Sequence, residues 1–268
     1  MFFKARNGKI DIEDTEINYI TFGEGNKILV MIPGIGESLT SFKGLASPLA
    51  LMYRKFAKEY KVYIFSRRTK LPDVFSTKDM ADDVIKTMEA LNIEKADLVG
   101  VSQGGMISQY VAINAPEKIN KLILIVTVAR KNPILIDSVE KWTNFAKEGN
   151  FKDLMLDTAE RSYVGDYLEK YKKMNKIAEK LGKKVTYDRF FIQSESCKNH
   201  DSYDELYKIQ CPTFIVGALK DKVLGIEGSL ELAEKIKYSE LYIYDEYSHG
   251  VYEQAKDFDD RILEYLRK

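Results

Sequence analysis

The sequence predicts an α/β fold: a doubly wound, mostly parallel sheet with a helical lid inserted after the sixth strand. Three observations support this prediction. Continuous apolar segments, typical of strands buried on both faces, alternate with segments of helical pattern along most of the 268 residues. The alternation stops between about residues 130 and 209 and then returns. Glycine-rich turns directly follow two of the apolar segments, at residues 34–36 and 100–105.

The first half of the chain is predicted to build most of the sheet. Two β-like segments come first, at residues 2–9 and 16–23, and the second alternates apolar with polar residues as a half-exposed strand does. The segment at 27–34 is continuously apolar, which fits a strand buried on both faces. Helices and strands then alternate, with helices predicted at 41–59, 77–92 and 103–114 and strands at 61–67, 96–101 and 121–129.

The second half contains the predicted insertion. Residues 130–209 hold no convincing strand and are rich in Lys, Glu and Tyr, with Tyr163, Tyr167 and Tyr171 at helical spacing. The β-α pattern returns afterwards, with strands predicted at 211–219 and 240–246 and helices at 226–237 and 251–267. We therefore predict a core of residues 1–129 and 210–268, and a helical lid of residues 130–209 above the sheet edge. No flexible linker flanks the insertion, which argues against a separate domain.

Composition and charge narrow the classes of function. The 41 basic and 41 acidic side chains balance, so charge gives no reason to expect nucleic acid or an anionic membrane as partner. Cys197 and Cys211, the only cysteines, have no metal-ligand spacing and predict no disulfide framework. The N-terminal residues turn charged at once, unlike a secretory signal, and the apolar runs are too short to span a bilayer. We expect a cytoplasmic protein.

The first candidate catalytic residue is Ser102, in the sequence Gly100-Val101-Ser102-Gln103-Gly104. The match to G-x-S-x-G is a weak signal alone. Its setting between an apolar strand and a helix is what a nucleophile elbow requires, because the strained turn raises the serine hydroxyl above the sheet edge. Small neighbours two residues away prevent collisions in such a turn. The alternative is a glycine-rich connection in which Ser102 only caps the helix.

A serine nucleophile needs a base close to neutral pKa, and histidine is the usual one. The sequence offers two. His249 lies on a loop after the predicted strand at 240–246, and therefore at the same sheet edge as Ser102. His200 lies in a polar stretch of the predicted lid, where we expect an exposed polar histidine. We predict His249 as the base, because a base must lie within reach of the serine hydroxyl before its pKa matters.

The carboxylate that orients the base should also follow a strand. Asp221 comes directly after the predicted strand at 211–219, whereas Asp245 lies at the end of a strand and is expected to point elsewhere. The alternative for Asp221 is a plain turn residue between Lys220 and Lys222. With Asp221 the catalytic order is Ser, Asp, His, which differs from the orders of chymotrypsin and subtilisin.

Two backbone N–H groups are predicted to form an oxyanion hole. The N–H of Gln103 lies at a helix N-terminus, where unpaired donors and the helix dipole favour negative charge. The second donor should come from the turn Gly34-Ile35-Gly36, and we predict the Ile35 N–H. The alternative is a glycine turn that only connects a strand to a helix.

Together these motifs make the sequence resemble the α/β-hydrolase superfamily, in its lid-bearing serine esterase and lipase-like branch. The resemblance covers nearly the full chain, through PGIGES (33–38), GVSQGG (100–105) and the Asp221 and His249 loops. It implies hydrolysis of a carboxylic ester or related acyl bond of a small molecule by water, with no cofactor and no metal. Pro33-Gly34 stands where many relatives have His-Gly, and residues 66–69 depart from the Asp-x-Arg-Gly of relatives.

The sequence leaves other functions open. A ligand-sensing protein could keep the triad and signal through its lid, and the same triad serves carbon–carbon bond hydrolases and perhydrolases. Tyr163, Tyr167 and Tyr171 are candidate substrate-binding residues, although such a stripe more often packs a lid helix onto the body. The sequence identifies no protein partner.

Overall fold

One eight-stranded sheet forms the centre of the molecule in the computed structural model, which describes residues 2–40, 44–180 and 186–268. The strands are β1 (Arg6–Ile12), β2 (Thr15–Phe22), β3 (Lys27–Ile32), β4 (Tyr60–Arg68), β5 (Ala96–Val101), β6 (Ile119–Ile125), β7 (Thr213–Ala218) and β8 (Ser239–Tyr244). Their order in the sheet is β1-β2-β4-β3-β5-β6-β7-β8. The pairs β1·β2 and β2·β4 are antiparallel and all the others are parallel. The predicted fold class is confirmed.

Helices cover both faces of the sheet and fill the insertion. They are α1 (Ala46–Met52), α2 (Thr77–Ala90), α3 (Gln103–Asn114), α4 (Pro133–Lys147), α5 (Phe151–Ser162), α6 (Gly165–Lys180), α7 (Asp188–Lys198), α8 (Glu227–Lys235), α9 (Val251–Gln254) and α10 (Phe258–Arg267). No helix in the described ranges is both long and apolar enough to cross a membrane.

The sheet is buried on both faces because successive residues of its strands enter different cores. In β3, Leu29 and Met31 pack in the core on the α1 and α10 side, while Val30 and Ile32 pack in the core against α2, α3 and α8. Continuous apolar runs are the sequence consequence of this arrangement.

The insertion consists of α4 to α7 and lies between β6 and β7. It has its own apolar cluster, in which Leu135, Trp142, Leu154 and Phe190 pack together and against Val223 of the body. Within the described residues of 130–209 there is no strand, only an isolated bridge between Arg130 and Asp201. The insertion is thus joined to the body by a shared core.

Three predicted elements differ from the structure by more than a shift of their ends. The first strand is β1 rather than residues 2–9, because Phe2–Lys4 form a 3-10 turn and the Phe3 carbonyl accepts a hydrogen bond from Gly23 N–H. The helix predicted at 41–59 is α1 followed by a 3-10 turn at Phe56–Lys58, and residues 41–43 lie outside the described residues. The last predicted helix is two helices, α9 and α10, because the backbone is extended at Ala255.

Candidate active site

Ser102 lies between the end of β5 and the first residue of α3 with φ of 54° and ψ of −120°. A positive φ is rare for a residue with a side chain and is maintained only where the surroundings enforce it. The Ser102 N–H donates to the Ile125 carbonyl (2.9 Å), and Thr127 Oγ1 donates to the Ser102 carbonyl (2.7 Å). The neighbouring strand β6 and its loop therefore fix both sides of this strained turn.

The glycines around Ser102 are required by space. A Cβ atom on Gly104 would lie 1.9 Å from the Ile32 carbonyl oxygen, and one on Gly100 would lie 2.4 Å from Ser108 Oγ. Any side chain at these positions would push α3 away from the sheet. The motif predicted from sequence thus has the backbone geometry of a nucleophile elbow.

Asp221 and His249 form a buried pair at the ends of β7 and β8. Asp221 Oδ2 is 2.9 Å from His249 Nδ1, and the two residues are 7% and 6% exposed. Asp221 Oδ1 accepts hydrogen bonds from the N–H groups of Val223 (2.8 Å) and Leu224 (3.0 Å), which fix the carboxylate. This arrangement turns His249 Nδ1 toward the carboxylate and leaves Nε2 as the ring nitrogen that is not bonded to Asp221.

The two alternatives weighed from sequence have other surroundings. Asp245 follows β8, is exposed and makes no hydrogen bond to His249 in the described part of the chain. His200 was expected to be exposed, and this expectation is wrong because the side chain is 2% exposed. Its Nδ1 lies 2.8 Å from Thr77 Oγ1, and its ring packs edge-on against that of Tyr110, with the ring centroids 5.5 Å apart. Burial lowers the pKa of His200 to about 3, so it stays neutral.

The turn after β3 lies directly beside the serine. A Cβ on Gly34 would be 3.3 Å from Ser102 Cβ, which is tighter than most side-chain contacts, so the turn lies close against the serine. Among the described residues, neither the Ile35 N–H nor the Gln103 N–H is donated to a protein acceptor. Neither N–H group is therefore committed to an acceptor within the described chain, and Ile35 itself lines the cavity described below.

A buried polar network that the sequence analysis missed braces these two loops from behind. Arg67 Nη2 donates to the Pro33 carbonyl (2.6 Å) before the Ile35 turn and to Gln103 Oε1 (3.2 Å) after Ser102. Gln103 Nε2 in turn donates to the Gln193 carbonyl (2.9 Å) of α7. The sequence gives only one hint of this network, an arginine at the end of a buried strand.

Glu37 provides the negative charge of this network. Its carboxylate accepts hydrogen bonds from Arg189 Nη2 (2.9 Å) and Gln193 Nε2 (3.1 Å) of α7, and from Ser66 Oγ. Glu37 is 5% exposed. Because Glu37 lies in the same turn as Ile35, its ion pair with Arg189 joins this turn to the insertion. Cys197 of α7 also touches the network, and burial raises the pKa of its thiol to about 12, which keeps it protonated.

The His249 loop is fastened directly to helix α5 of the insertion. Ser248 Oγ lies 2.5 Å from the Arg161 carbonyl and 2.7 Å from the Lys220 carbonyl, and Gly250 N–H donates to the Ser162 carbonyl (2.7 Å). The residues on both sides of His249 are thus bonded to the C-terminal end of α5. The position of the imidazole depends on the insertion as well as on the body.

Ser102 and His249 line one cavity of about 300 Å³, which lies between the sheet edge and the insertion. Ile35 also lines it, as do Tyr163 and Tyr171 among the predicted tyrosines. Tyr167 is not among the residues that line the cavity. Its hydroxyl donates to the Glu253 carboxylate (3.3 Å) at the cavity wall.

Within the described ranges, no group of three or more His, Cys, Asp or Glu side chains is arranged to hold a metal ion. The structure thus brings the cavity, the strained serine and the Asp221–His249 pair to one edge of a doubly wound sheet, where open α/β folds bind their ligands. The chain belongs to the alpha/beta hydrolase fold family, whose sequence pattern matches residues 27–256.

Relatives within this family are named for hydrolytic enzymes. The chain is 21% identical over 263 residues to 3-oxoadipate enol-lactonase 2 of Acinetobacter baylyi, covering 96% of this chain and 95% of that protein. It is 25% identical over 253 residues to 2-hydroxymuconate semialdehyde hydrolase of a Pseudomonas species, covering 89% and 86%. MGS-M2, an alpha/beta hydrolase enzyme from a Medee basin deep-sea metagenome library, shares the fold with a TM-score of 0.85 at 21% identity, over 97% of this chain and 98% of that one.

Proposed function

We propose that this protein is a serine hydrolase that cleaves a carboxylic ester or related acyl bond of a small molecule. The observation that carries the proposal is the arrangement around one cavity. Ser102, held at positive φ, and His249, paired with Asp221 at 2.9 Å, both line it. A nucleophile, a base and an orienting carboxylate around a common space are the requirements of acyl transfer.

The proposed reaction has two steps. Ser102 Oγ attacks the carbonyl carbon while His249 Nε2 takes the hydroxyl proton, and the resulting imidazolium is stabilised by Asp221. His249 then gives this proton to the leaving alcohol, and an acyl-enzyme remains. In the second step His249 activates a water molecule, which attacks the acyl carbon and releases the acid and Ser102.

The Ile35 and Gln103 N–H groups are proposed to hold the oxyanion of each tetrahedral intermediate. Removal of one such donor in other enzymes costs about 3–4 kcal/mol of transition-state stabilisation. Arg67 supports both donors, because it is bonded to Pro33 and to Gln103 on either side of the hole. This bracing would keep the donors in place when charge develops.

In the described part of the chain, no hydrogen bond joins Ser102 Oγ to His249 Nε2. Catalytic hydrogen bonds in unliganded enzymes are often long and tighten only with substrate, to roughly 2.6–3.2 Å. We therefore expect the cavity's occupant to complete this contact. The alternative of carbon–carbon bond hydrolysis would use the same residues, so the bond cleaved has to be measured.

The test is hydrolysis of a chromogenic ester series, from acetate to long acyl chains, with fluorophosphonate labelling of the protein. We expect multiple turnover and labelling by the native protein, and a loss of turnover of roughly 10⁴- to 10⁶-fold in Ser102→Ala. Labelling that persists in Ser102→Ala would overturn the assignment of the nucleophile. No turnover by folded protein across the series would overturn the esterase proposal in favour of ligand sensing or another bond type.

A matched pair of variants tests the carboxylate. Asp221→Asn should lower kcat/KM by about 10⁴-fold, since the amide favours the wrong histidine tautomer. Asp245→Asn removes the same charge from an exposed residue four positions from His249. It should leave kcat/KM unchanged. Equal losses in both variants would contradict the role given to Asp221.

A further inference from the structure

The wall of the cavity contains an acidic side chain that the proposed mechanism does not use. Glu253 is the only Asp or Glu among the described residues that line the cavity, and none of those residues is Lys or Arg. Glu253 lies on α9, four residues after His249, and it is also exposed to solvent. Its carboxylate is therefore placed where the cavity opens.

Two tyrosines of the insertion hold this carboxylate. The Tyr163 hydroxyl donates to Glu253 Oε2 at 2.7 Å and the Tyr167 hydroxyl donates to the same oxygen at 3.3 Å. Burial, assisted by the negative charge of Glu253, raises the pKa of Tyr167 to about 12 and that of Tyr163 well above its ordinary value. Both hydroxyls therefore remain neutral donors to the Glu253 carboxylate.

No cation of the described chain neutralises this charge. Many exposed carboxylates pair with lysine or arginine, as Glu246 pairs with Lys220 nearby, but no ion pair to Glu253 is formed by any described residue. The remaining walls are rich in aromatic rings, from Trp142, Phe151, Tyr163, Tyr171, Phe190 and Tyr252. Aromatic faces attract cations through the negative potential of the ring.

We propose that the cavity selects substrates that carry an ammonium group, in preference to neutral or anionic substrates of the same shape. This inference rests on the proposed function, because it assigns the substrate class of the same site. Glu253 would attract the ammonium group at the cavity opening, and the neighbouring rings would contact its methyl or methylene groups. A substrate carboxylate or sulfonate would meet the negative charge of Glu253 with no described cation to pair with.

The experiment compares three butyrate esters whose alcohols differ in charge but little in shape. They are the choline ester, the neutral 3,3-dimethylbutyl ester and the ester of 2-hydroxyethanesulfonate. We expect kcat/KM of the native protein to fall in that order, with the choline ester preferred over the neutral ester by roughly tenfold. The preference should shrink as salt is added, because the carboxylate is exposed.

Glu253→Gln is the test variant, since glutamine can still accept the tyrosine hydrogen bonds but carries no charge. The ratio of kcat/KM for the choline ester to that for the neutral ester should fall toward one. Glu264→Gln removes the same charge from an exposed residue of α10 that is not among the lining residues of this cavity, and it should leave the ratio unchanged. An unchanged ratio in Glu253→Gln would overturn the inference.

The outcomes separate this inference from the proposed function. Hydrolysis of all three esters at equal rates by native protein would overturn the ammonium preference and leave the esterase proposal standing. If no ester is hydrolysed, calorimetric titration with phenyltrimethylammonium decides the inference without turnover. Binding that is weakened roughly tenfold in Glu253→Gln supports the cation site, and binding equal in both proteins, or absent from both, overturns it.

Discussion

His249 and His200, the two histidines of the chain, lie in two buried regions that differ in what surrounds the ring. His249 is bonded to the Asp221 carboxylate on one side and faces the cavity on the other. His200 contacts the hydroxyl of Thr77 and lies 3.4 Å from Ser202 Oγ, with both nitrogens occupied inside the protein. Burial alone therefore does not distinguish a candidate catalytic histidine from a structural one.

The difference lies in which charge state each region can stabilise. A carboxylate beside a histidine stabilises the imidazolium that forms when the ring accepts a proton. Among the described residues, the contacts of His200 are hydroxyls, the backbone of Val128 and the edge of an aromatic ring, with no carboxylate, and burial there lowers the pKa of His200 to about 3. A proton on His200 would be unstable, which suits a hydrogen-bonded packing role.

The largest expected effect tests this comparison directly. His249→Gln should lower kcat/KM on the best ester by roughly 10⁴-fold or more, because the base of both reaction steps is removed. His200→Gln keeps a hydrogen-bonding side chain of similar size, and the folded variant should retain most of its turnover. Steady-state kinetics at a temperature where circular dichroism shows both variants to be folded provides the measurement.

The reverse result would break the comparison. If His200→Gln lost activity as severely as His249→Gln while remaining folded, the region of α7 and Thr77 would contain part of the active site. Equal and small losses in both variants would mean that neither histidine is the base.

The sequence predicted the residues at strand ends because a parallel sheet brings its carboxyl ends to one edge. Ser102, Asp221 and His249 follow three different strands, and all three lie at that edge of the sheet. The fold was predictable for the same reason, since continuous apolar runs mark strands buried on both faces.

The contributions of the insertion could not be predicted. His200 lies in a polar stretch, and it is buried by residues distant in sequence, among them Tyr110 and Thr77. Glu37 and Glu253 bind partners in the insertion that are far away in the sequence: Arg189 lies 152 residues from Glu37, and Tyr163 lies 90 residues from Glu253. Such pairings depend on how the helices of the insertion sit on the body, and helical periodicity carries no information on that.

A second prediction uses acid to distinguish the same two regions. The pKa of His200 is about 3 in the folded protein and about 6.5 when exposed, so between these values the unfolded chain binds the extra proton. The contribution of neutral His200 to stability is therefore complete above pH 6.5 and is lost as the pH falls toward 3. From pH 7 to pH 5 this single group should cost about 2 kcal/mol of the free energy of unfolding.

Urea unfolding of native protein and His200→Gln at pH 7, 6 and 5 measures the loss. The native protein should be more stable at pH 7, and the gap between the two proteins should close by about 2 kcal/mol at pH 5, because glutamine does not titrate. The carboxylates titrate in both proteins, so their effect on the free energy of unfolding cancels when the two proteins are compared. Parallel pH curves for the two proteins would show that His200 is not held neutral by its surroundings.

The smallest expected effect concerns the serine near each histidine. Ser248 is fully buried and joins the His249 loop to the Lys220 carbonyl beside Asp221 and to the Arg161 carbonyl of α5. Ser202 is 1% exposed, and its hydroxyl donates to Gln109 Oε1 at 2.6 Å. Each Ser→Ala variant removes a buried hydrogen bond and should cost about 1–2 kcal/mol of stability.

Only Ser248→Ala should also change the rate. Without its hydroxyl the three segments around His249 lose one of the bonds that hold them together, and a misplaced imidazole raises the barrier of both proposed steps. We expect kcat to fall by roughly tenfold, equal to about 1.4 kcal/mol, with little change in KM, whereas Ser202→Ala should keep kcat within about twofold. A matching loss of kcat in Ser202→Ala would mean that general loosening of the insertion, rather than the position of His249, limits turnover.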